Sequence, residues 1–290
     1  MKTRHVETVI APRTPHFVGD GFRVHNFIPG ALTMQRMSPF IMMDYNSKFV
    51  FPPSKSPKGV GVHPHRGFET VTIAYKGKVA HGDSYGNSGV IGEGDVQWMT
   101  AASGILHKEY HEEEFSKTGG EFQMVQLWVN LPAKDKMSKP KYQEIVKDKI
   151  GKFVIPGDGG TVEVIAGEYE GINGSASTFS PVHLFNARLN KGASASFHFP
   201  AHYNTAVLLI EGSATVNGET SVATDHLALL ANDGERFTIE ASENAVVLIL
   251  SGEPINEPIA TYGPFVMNTK AEIVQAVEDF NMGKFGYLED

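Results

Sequence analysis

The sequence predicts an all-β protein built from two tandem β-barrels, with one helix near the C-terminus. Short runs rich in Val, Ile, Leu, Thr and aromatic residues recur between glycines and prolines, among them 69–75, 124–129, 206–210 and 245–250. Strands of this length at regular spacing are typical of barrels and sandwiches. The length of 290 residues favours two domains, because single domains commonly span ~100–200 residues.

The two halves of the chain repeat one pattern. When Gly77 is placed on Gly212 without gaps, an apolar strand precedes each glycine. Segments 95–104 and 225–234 each begin with Asp, after a turn, and end with Gly. Self-similarity of this kind indicates an internal duplication. We therefore expect each half to form one barrel.

The helix and the domain boundaries follow from local signals. Thr269 and Glu272 have the spacing of a capping box, apolar residues then recur with a helical period, and Gly283 suits the end of the helix. Residues 134–160 are rich in Lys, Pro and Gly, as connectors are. We expect a first barrel over 1–134, a connector over 135–160 and a second barrel over 161–290. The second barrel would end in the helix, which packs on a barrel as a lid or strap.

Composition excludes several classes of function. The net charge of −8 argues against direct nucleic-acid binding, which needs a basic surface. The chain has no cysteine, so any metal must be held by His, Asp or Glu. There is neither a signal-peptide pattern nor a stretch long enough for a membrane span. We expect a cytoplasmic protein, a monomer or weak dimer, with no membrane partner.

Two short motifs predict a metal site in the first half. His63 and His65 precede an extended run, and His107 and Glu109 follow a later turn. Residues i and i+2 of a strand point to one face, so each pair can converge on an ion inside a barrel. Three imidazoles and a carboxylate suit one divalent transition metal, and open positions would permit Fe(II) oxygenase chemistry. Strand parity alone does not choose between Glu109 and Glu69 as the carboxylate.

The second half serves as an internal control for this motif. On the ungapped alignment, His63 falls on His198 and His65 on Pro200. Counted from the matching Asp, His107 falls on Phe237 and Glu109 on Ile239. We therefore expect a second barrel without metal and with a mainly apolar interior. His198 would be a satisfied core or rim histidine.

Two further histidines need an assignment. His111 shares the strand parity of Glu109 but stands in the acidic run 110–114. Charge runs are usually exposed, so we expect His111 to be a solvated loop residue. His81 lies in a segment of turn composition, to which we assign no chemistry.

The motifs resemble those of the pirin family. The resemblance rests on H-P-H-R-G-F-E-T-V at 63–71 and S-G-I-L-H-K-E at 103–109. Further matching stretches are 38–40, 97–101, 126–132 and 263–269. They occur in both halves, so the resemblance covers nearly the whole chain. The acidic run after Glu109 departs from the family pattern.

The resemblance implies a bicupin, two double-stranded β-helix (jelly-roll) barrels, with one mononuclear iron in the N-terminal barrel. It places the ligands on His63, His65, His107 and Glu109. Glu69 then becomes a group that supports a liganding imidazole, or a strand-pairing residue. Fe(II) is the metal implied, and Mn, Ni, Cu, Zn and Co are the alternatives.

The resemblance also implies an activity, cleavage of flavonols such as quercetin by O2. Glu109 would take the substrate's hydroxyl proton, and an apolar cavity would hold the small aromatic substrate. Phe40, Met42 and Trp98 are candidates for lining this cavity, with core packing as the alternative. A second hypothesis is a redox-sensing regulator that acts through a protein partner, either a transcription factor or a metabolic enzyme. A third is a metal-dependent cupin of another class, such as an isomerase.

Overall fold

The computed structural model describes residues 2–290, and its sheets are antiparallel. The strands of the first half are β1 Val6–Ile10, β2 His16–Val18, β3 Phe22–Ile28, β4 Phe40–Phe51, β5 Gly59–His65, β6 Phe68–Lys76, β7 Val79–Asp83, β8 Ser88–Ile91, β9 Val96–Thr100, β10 Ile105–His111, β11 Gly120–Asn130 and β12 Lys141–Ile145. Those of the second half are β13 Gly151–Ile155, β14 Gly160–Ala166, β15 Glu168–Tyr169, β16 Ile172–Asn173, β17 Val182–Leu189, β18 Ser194–His198, β19 Asn204–Glu211, β20 Ser213–Val216, β21 Thr220–Ala223, β22 Leu227–Leu230, β23 Arg236–Ala241, β24 Ala245–Gly252, β25 Ala260–Tyr262 and β26 Phe265–Met267. The helices are α1 Met34–Met37, α2 Glu113–Thr118 and α3 Lys270–Asn281, with 3-10 turns at Ala133–Asp135 and Lys147–Lys149.

The chain forms two compact units, each of them a barrel. The first barrel comprises residues 14–30, 40–147 and 255–290. The second comprises residues 31–39 and 148–254 together with the N-terminal segment up to residue 13. Both predicted barrels are therefore present.

The boundaries differ from those predicted from the sequence. The N-terminal strand β1 pairs with β22 of the second barrel, and β12, within the predicted connector, pairs with β9 of the first. The C-terminal helix α3 belongs to the first barrel and not to the second. The physical reason is that an unpaired sheet edge accepts any strand that can reach it, whatever its place in the chain.

The first barrel consists of two sheets that enclose the site. The larger has the strand order β12-β9-β6-β11-β4-β3-β2, and the smaller has the order β5-β10-β7-β8. Strand β6 reads FETVTIAYK, and its β-branched and aromatic residues favour an extended, buried strand. The smaller sheet carries both predicted metal motifs, on β5 and β10.

The second barrel has the same two-sheet arrangement, but its interior side chains differ. Its sheets have the orders β1-β22-β19-β24-β17-β14-β13 and β18-β23-β20-β21. Its interior is a cluster of aliphatic and aromatic side chains, including Phe185, Phe197, Phe199 and Phe237. The predicted apolar interior is confirmed.

Helix α3 begins with the predicted capping box, in which Thr269 and Glu272 cap each other reciprocally. It packs in the first barrel through Ala276 and a neighbouring apolar cluster. The buried Arg66 guanidinium donates to Asp279 at 2.8 Å. Arg66 directly follows His65, so the helix is tied to the turn beside the predicted ligands.

Helices long and apolar enough to cross a bilayer do not occur within residues 2–290.

Candidate metal centre

Strands β5 and β10 bring the two metal motifs together. Side chains along β10 alternate between buried and half-buried, with His107 and Glu109 on the buried face. His107 lies opposite His63 in the register, and a bulge separates this pair from Glu109. The extra residue of the bulge lies in β5, between Val60 and His63, whereas β10 is regular, so His107 and Glu109 share one face as residues i and i+2. The predicted parity of both pairs is therefore realised.

The three imidazoles form a compact, buried triangle. Ring centroids are 4.6 Å apart for His63 and His65, 5.3 Å for His63 and His107, and 5.7 Å for His65 and His107. Burial lowers the pKa of His63 and lowers that of His65 well below its ordinary value. These two rings are therefore neutral at physiological pH, the form that ligates a metal.

The free ring nitrogens test whether this cluster fits a metal. The Nδ1 atom of His63 donates to the Gly61 carbonyl at 2.8 Å, which leaves Nε2 with its lone pair. Nδ1 of His65 and both nitrogens of His107 are buried without a hydrogen-bond partner among the described residues. Unpaired buried nitrogens destabilise a fold, and a divalent ion would satisfy one nitrogen of each ring through its lone pair. Within residues 2–290, no three His, Asp or Glu side chains form a ready-made coordination sphere, so the fit rests on the donor set.

The Glu109 carboxylate completes the donor set. Its Oε2 lies 3.4 Å from Nε2 of His107, within ion-pair distance although the angle is poor for a hydrogen bond. Burial alone would raise the pKa of Glu109, but His107, His63 and the Thr72 hydroxyl outweigh burial and lower it to about 2. Glu109 is therefore ionised across the physiological range.

Thr72 and Gln126 hold the carboxylate from neighbouring strands. The Thr72 hydroxyl lies 3.1 Å from Oε1 of Glu109 and 2.5 Å from Oε1 of Gln126. The Gln126 amide donates to Oε2 of Glu109 at 3.4 Å. Because the Thr72 hydroxyl has one proton, it donates to only one of these two Oε1 atoms at a time, and the Gln126 amide is the separate donor that restricts rotation of the Glu109 carboxylate.

The turn after His65 is anchored by a buried lysine. Nζ of Lys136 donates to the carbonyl oxygens of Gly67 and Val266 and to Oδ1 of Asn130, at 2.6–3.0 Å. Gly67 has φ +90°, and a Cβ there would collide with the Val266 carbonyl oxygen. Glycine at this position therefore allows the close backbone approach that holds the end of β5.

A cavity of about 190 Å³ opens beside these side chains. Its walls carry His63, His65 and Glu109, apolar groups such as Val24, Met42 and Trp128, and the polar Asp44, Asn46 and Gln126. Met42 thus lines the cavity as predicted. For Phe40 and Trp98 the alternative of core packing holds, because both are fully buried and neither is part of the cavity wall.

Glu69 takes the second of its two predicted roles, that of a strand-pairing residue between Val129 and Thr100. Residues 69 and 72 of β6 differ by an odd number, so Glu69 points to the face opposite Thr72 and the site. It accepts a hydrogen bond from the Thr100 hydroxyl at 2.7 Å, and burial raises its pKa to about 7. None of the three imidazoles bonds to Glu69 within the described chain, so the other alternative, a group that supports a liganding imidazole, is wrong.

The sequence reasoning missed the polar wall of the cavity. Asp44 pairs in register with Gln126, which pairs with Thr72 on the next strand, so one polar row crosses the inner face of the large sheet. The available signal was period-two polarity within apolar strands, such as Asp44 and Asn46 in FIMMDYNSKFVF. That pattern would have placed both on the face of Met42.

Two other histidines lie in strands and not in the loop and turn predicted for them, His111 on β10 and His81 on β7. His111 is buried at the end of β10, where Nε2 donates to the Gly21 carbonyl at 2.8 Å among phenylalanine rings such as Phe51 and Phe122. The solvated-loop assignment is therefore wrong. His81 faces Glu109 in the strand register, and its Nε2 lies 2.7 Å from the Tyr142 hydroxyl.

The second barrel shows which residues correspond to the predicted ligands. Phe197 lies opposite Phe237 in the register, as His63 lies opposite His107. The ungapped alignment of His63 with His198 is therefore one residue out, and His198 itself is exposed. By pairing, the counterparts of His63, His65, His107 and Glu109 are Phe197, Phe199, Phe237 and Ile239.

Fold and site together define a two-barrel cupin protein with a histidine–carboxylate cluster in one barrel. The model of the pirin family matches residues 21–129, and that of the pirin C-terminal cupin domain matches residues 184–286. The chain belongs to the pirin family.

Several relatives and solved structures are similar to this chain over most of its length. A Pseudomonas aeruginosa protein provisionally named a quercetin 2,3-dioxygenase is 48% identical over 93% of this chain and 94% of its own length. A pirin-like protein of Solanum lycopersicum is 38% identical over 93% of this chain and 89% of its own. The crystal structure of quercetin 2,3-dioxygenase from Acinetobacter baumannii matches with a TM-score of 0.93 and 45% identity, over 99% of this chain and 100% of that one. The bacterial pirin YhhW from Escherichia coli, solved with nickel(II), has the same fold at 20% identity and a TM-score of 0.65, over 85% of this chain and 100% of that one.

Proposed function

We propose that His63, His65, His107 and Glu109 hold one Fe(II) ion and that the loaded protein cleaves flavonols such as quercetin with O2. The observation that carries this proposal is the buried set of unpaired imidazole nitrogens and one ionised carboxylate at the wall of an open cavity. The relatives named as quercetin 2,3-dioxygenases support the choice of substrate.

The donor set favours a first-row transition metal. Neutral imidazoles suit several such metals, and the carboxylate adds one negative charge. When bound, the metal supplies Lewis-acid and redox chemistry at the substrate's reacting oxygens. Mn, Ni, Cu, Zn and Co would be accepted by the same donors.

Glu109 would accept the proton of the flavonol's hydroxyl group. It is ionised at neutral pH, and the Gln126 amide orients it, with the Thr72 hydroxyl beside its Oε1 atom. A base must lie within hydrogen-bond reach of the proton that it takes, and the cavity lets a substrate approach this carboxylate.

The apolar walls would bind the aromatic rings and exclude water. Met42 and Trp128 lie side by side on neighbouring strands, and the Trp128 ring stacks on Phe68 at 4.2 Å. Ligand pockets commonly enclose about 300–1,000 Å³. In a cavity of about 190 Å³, part of a three-ring flavonol would therefore extend through the opening.

The test combines metal analysis under anaerobic conditions with oxygen uptake on quercetin. Wild type should carry about one iron per chain and consume O2, because all four donors are present. His65→Ala and Glu109→Ala should lose both properties. His198→Ala and Glu69→Gln are the controls and should keep both, since His198 is exposed and Glu69 faces away from the site.

Two outcomes would contradict the proposal. Full metal retention in His65→Ala would reject the ligand assignment. Stoichiometric iron without oxygen uptake would reject the dioxygenase and favour the metal-dependent regulator that acts through a protein partner.

A further inference from the structure

One wall of the cavity carries an amide whose hydrogen-bonding capacity is unused. Asn46 lines the cavity and is 2% exposed. Neither Oδ1 nor Nδ2 of this side chain has a partner within the described residues. Buried amides are almost always paired, because an unpaired desolvated donor or acceptor destabilises the fold. A ligand that bonds to Asn46 would remove that penalty.

Asp44 lies beside Asn46 on the same strand face. Residues i and i+2 of β4 project to one side, with Cα atoms about 7 Å apart. Oδ1 of Asp44 accepts a hydrogen bond from the Asn26 amide at 2.7 Å, which orients the carboxyl group. Asp44 also lines the cavity, and burial raises its pKa. The two side chains form a polar patch on an otherwise largely apolar wall.

This patch lies beyond the metal donors along the cavity wall. Asp44 pairs in register with Gln126, the residue that donates to Glu109, and Asn46 pairs with Met124 one step further along the same two strands. In the other direction stands Trp128, whose ring lies 5.6 Å from His65. A ligand with one end at the donors can therefore place its periphery against Asp44 and Asn46.

We infer that Asp44 and Asn46 form a subsite that binds hydroxyl groups on the periphery of an aromatic ligand, away from the oxygens that face the metal donors. A phenolic hydroxyl is donor and acceptor at once, so it can donate to Asp44 and pair with the Asn46 amide. A ring without such hydroxyls would leave the amide unpaired. The inference rests on the proposed flavonol activity and identifies which flavonols the cavity selects.

The experiment measures anaerobic binding of two flavonols to the metal-loaded protein. Quercetin carries peripheral hydroxyls, whereas 3-hydroxyflavone keeps only the hydroxyl and ketone next to the reacting carbon. Wild type should bind quercetin at least about tenfold more tightly than 3-hydroxyflavone, because a site built to bond a hydroxyl rejects the analogue that lacks it.

Asn46→Leu and Asp44→Asn should reduce this preference, chiefly by weakening quercetin binding. Each replacement is close to the original side chain in size, and metal content with circular dichroism checks the fold of each variant. Met124→Leu is the matched control. It alters the side chain that pairs with Asn46 on the neighbouring strand without changing its polarity, so the quercetin preference should persist.

Several outcomes are decisive. Equal binding of both flavonols by wild type, or an unchanged preference in both variants, would overturn the subsite. Oxygen uptake by the same samples separates this inference from the proposed function. A quercetin preference without uptake keeps the subsite and rejects the dioxygenase, whereas uptake without a preference does the reverse. Binding of neither flavonol rejects both.

Discussion

The two barrels place different chemistry at equivalent positions of one scaffold. In the first barrel His107 lies 5.3 Å from His63 and 5.7 Å from His65 between ring centroids. In the second, Phe237 lies 5.4 Å from Phe197 and 6.1 Å from Phe199. The strand pairing thus holds three rings at nearly the same spacing whether they are imidazoles or phenyls.

The difference teaches that backbone geometry and site chemistry are separable here. Phenyl rings fill the second interior and gain the free energy of apolar burial. Imidazoles at the same positions leave buried nitrogens unpaired, each costing about 1–3 kcal/mol until a partner binds. The polar interior of the first barrel therefore stabilises the fold less than the apolar interior of the second. This cost is offset only when the polar interior binds a ligand.

The largest effect should come from giving the first barrel the side chain of the second. His107→Phe should abolish iron binding and oxygen uptake, with metal affinity falling by more than about 100-fold, since groups that merely orient a ligand already change it by about 10–100-fold. Metal content per chain and circular dichroism would be measured together. The reciprocal Phe237→His should gain no iron, because one imidazole is not a site. Iron retained by His107→Phe would refute the comparison.

The next effect tests the second barrel. Phe237→Ala should lower the free energy of unfolding by about 3–5 kcal/mol, because it leaves a cavity in a packed aromatic cluster. Iron content should not change. Urea unfolding with chelator present measures the loss. A loss under about 1 kcal/mol would mean that this interior is loosely packed. The second barrel would then not gain the stability from apolar packing that distinguishes it from the first.

The smallest effect concerns one buried glutamate in each barrel. Burial raises the pKa of Glu69 to about 7, so between its unfolded and folded pKa values the native state holds the extra proton. Stability must then fall as pH rises through that window. Glu69→Gln removes this pH-dependent loss of stability. The free energy of unfolding of the variant, relative to that of wild type, should therefore rise between pH 4 and pH 8 by at most about 3 kcal/mol.

Glu163 of the second barrel is the matched control. It is buried but lies 3.2 Å from Arg188 and 3.7 Å from Lys152. Glu163→Gln should therefore destabilise at neutral pH, the opposite sign, because it leaves the two cations without their carboxylate. Chemical unfolding at several pH values would measure both variants. Equal pH profiles for Glu69→Gln and wild type would show that Glu69 is already ionised in the native state.

The alternating patterns let much of the fold and the histidine–carboxylate cluster be predicted. Period-two spacing put His63 with His65 and His107 with Glu109, and the structure brings all four together. Parity could not tell Glu69 from Glu109, because spacing alone does not show that the chain turns at Gly67 between β5 and β6, and the turn breaks the alternation between His65 and Glu69. The same limit applies to Trp98, which strand composition could not assign to a face.

The sequence by itself determined two β-barrels, the capped C-terminal helix and the donor types available to a metal, because periodicity, capping and residue chemistry are local. Tertiary structure alone decided that β1 completes the second barrel and that α3 joins the first. It also decided that Asp44 and Asn46 face the same cavity as the donors. These are pairings between residues distant in the chain, and they depend on which sheet edge and which interior each segment reaches.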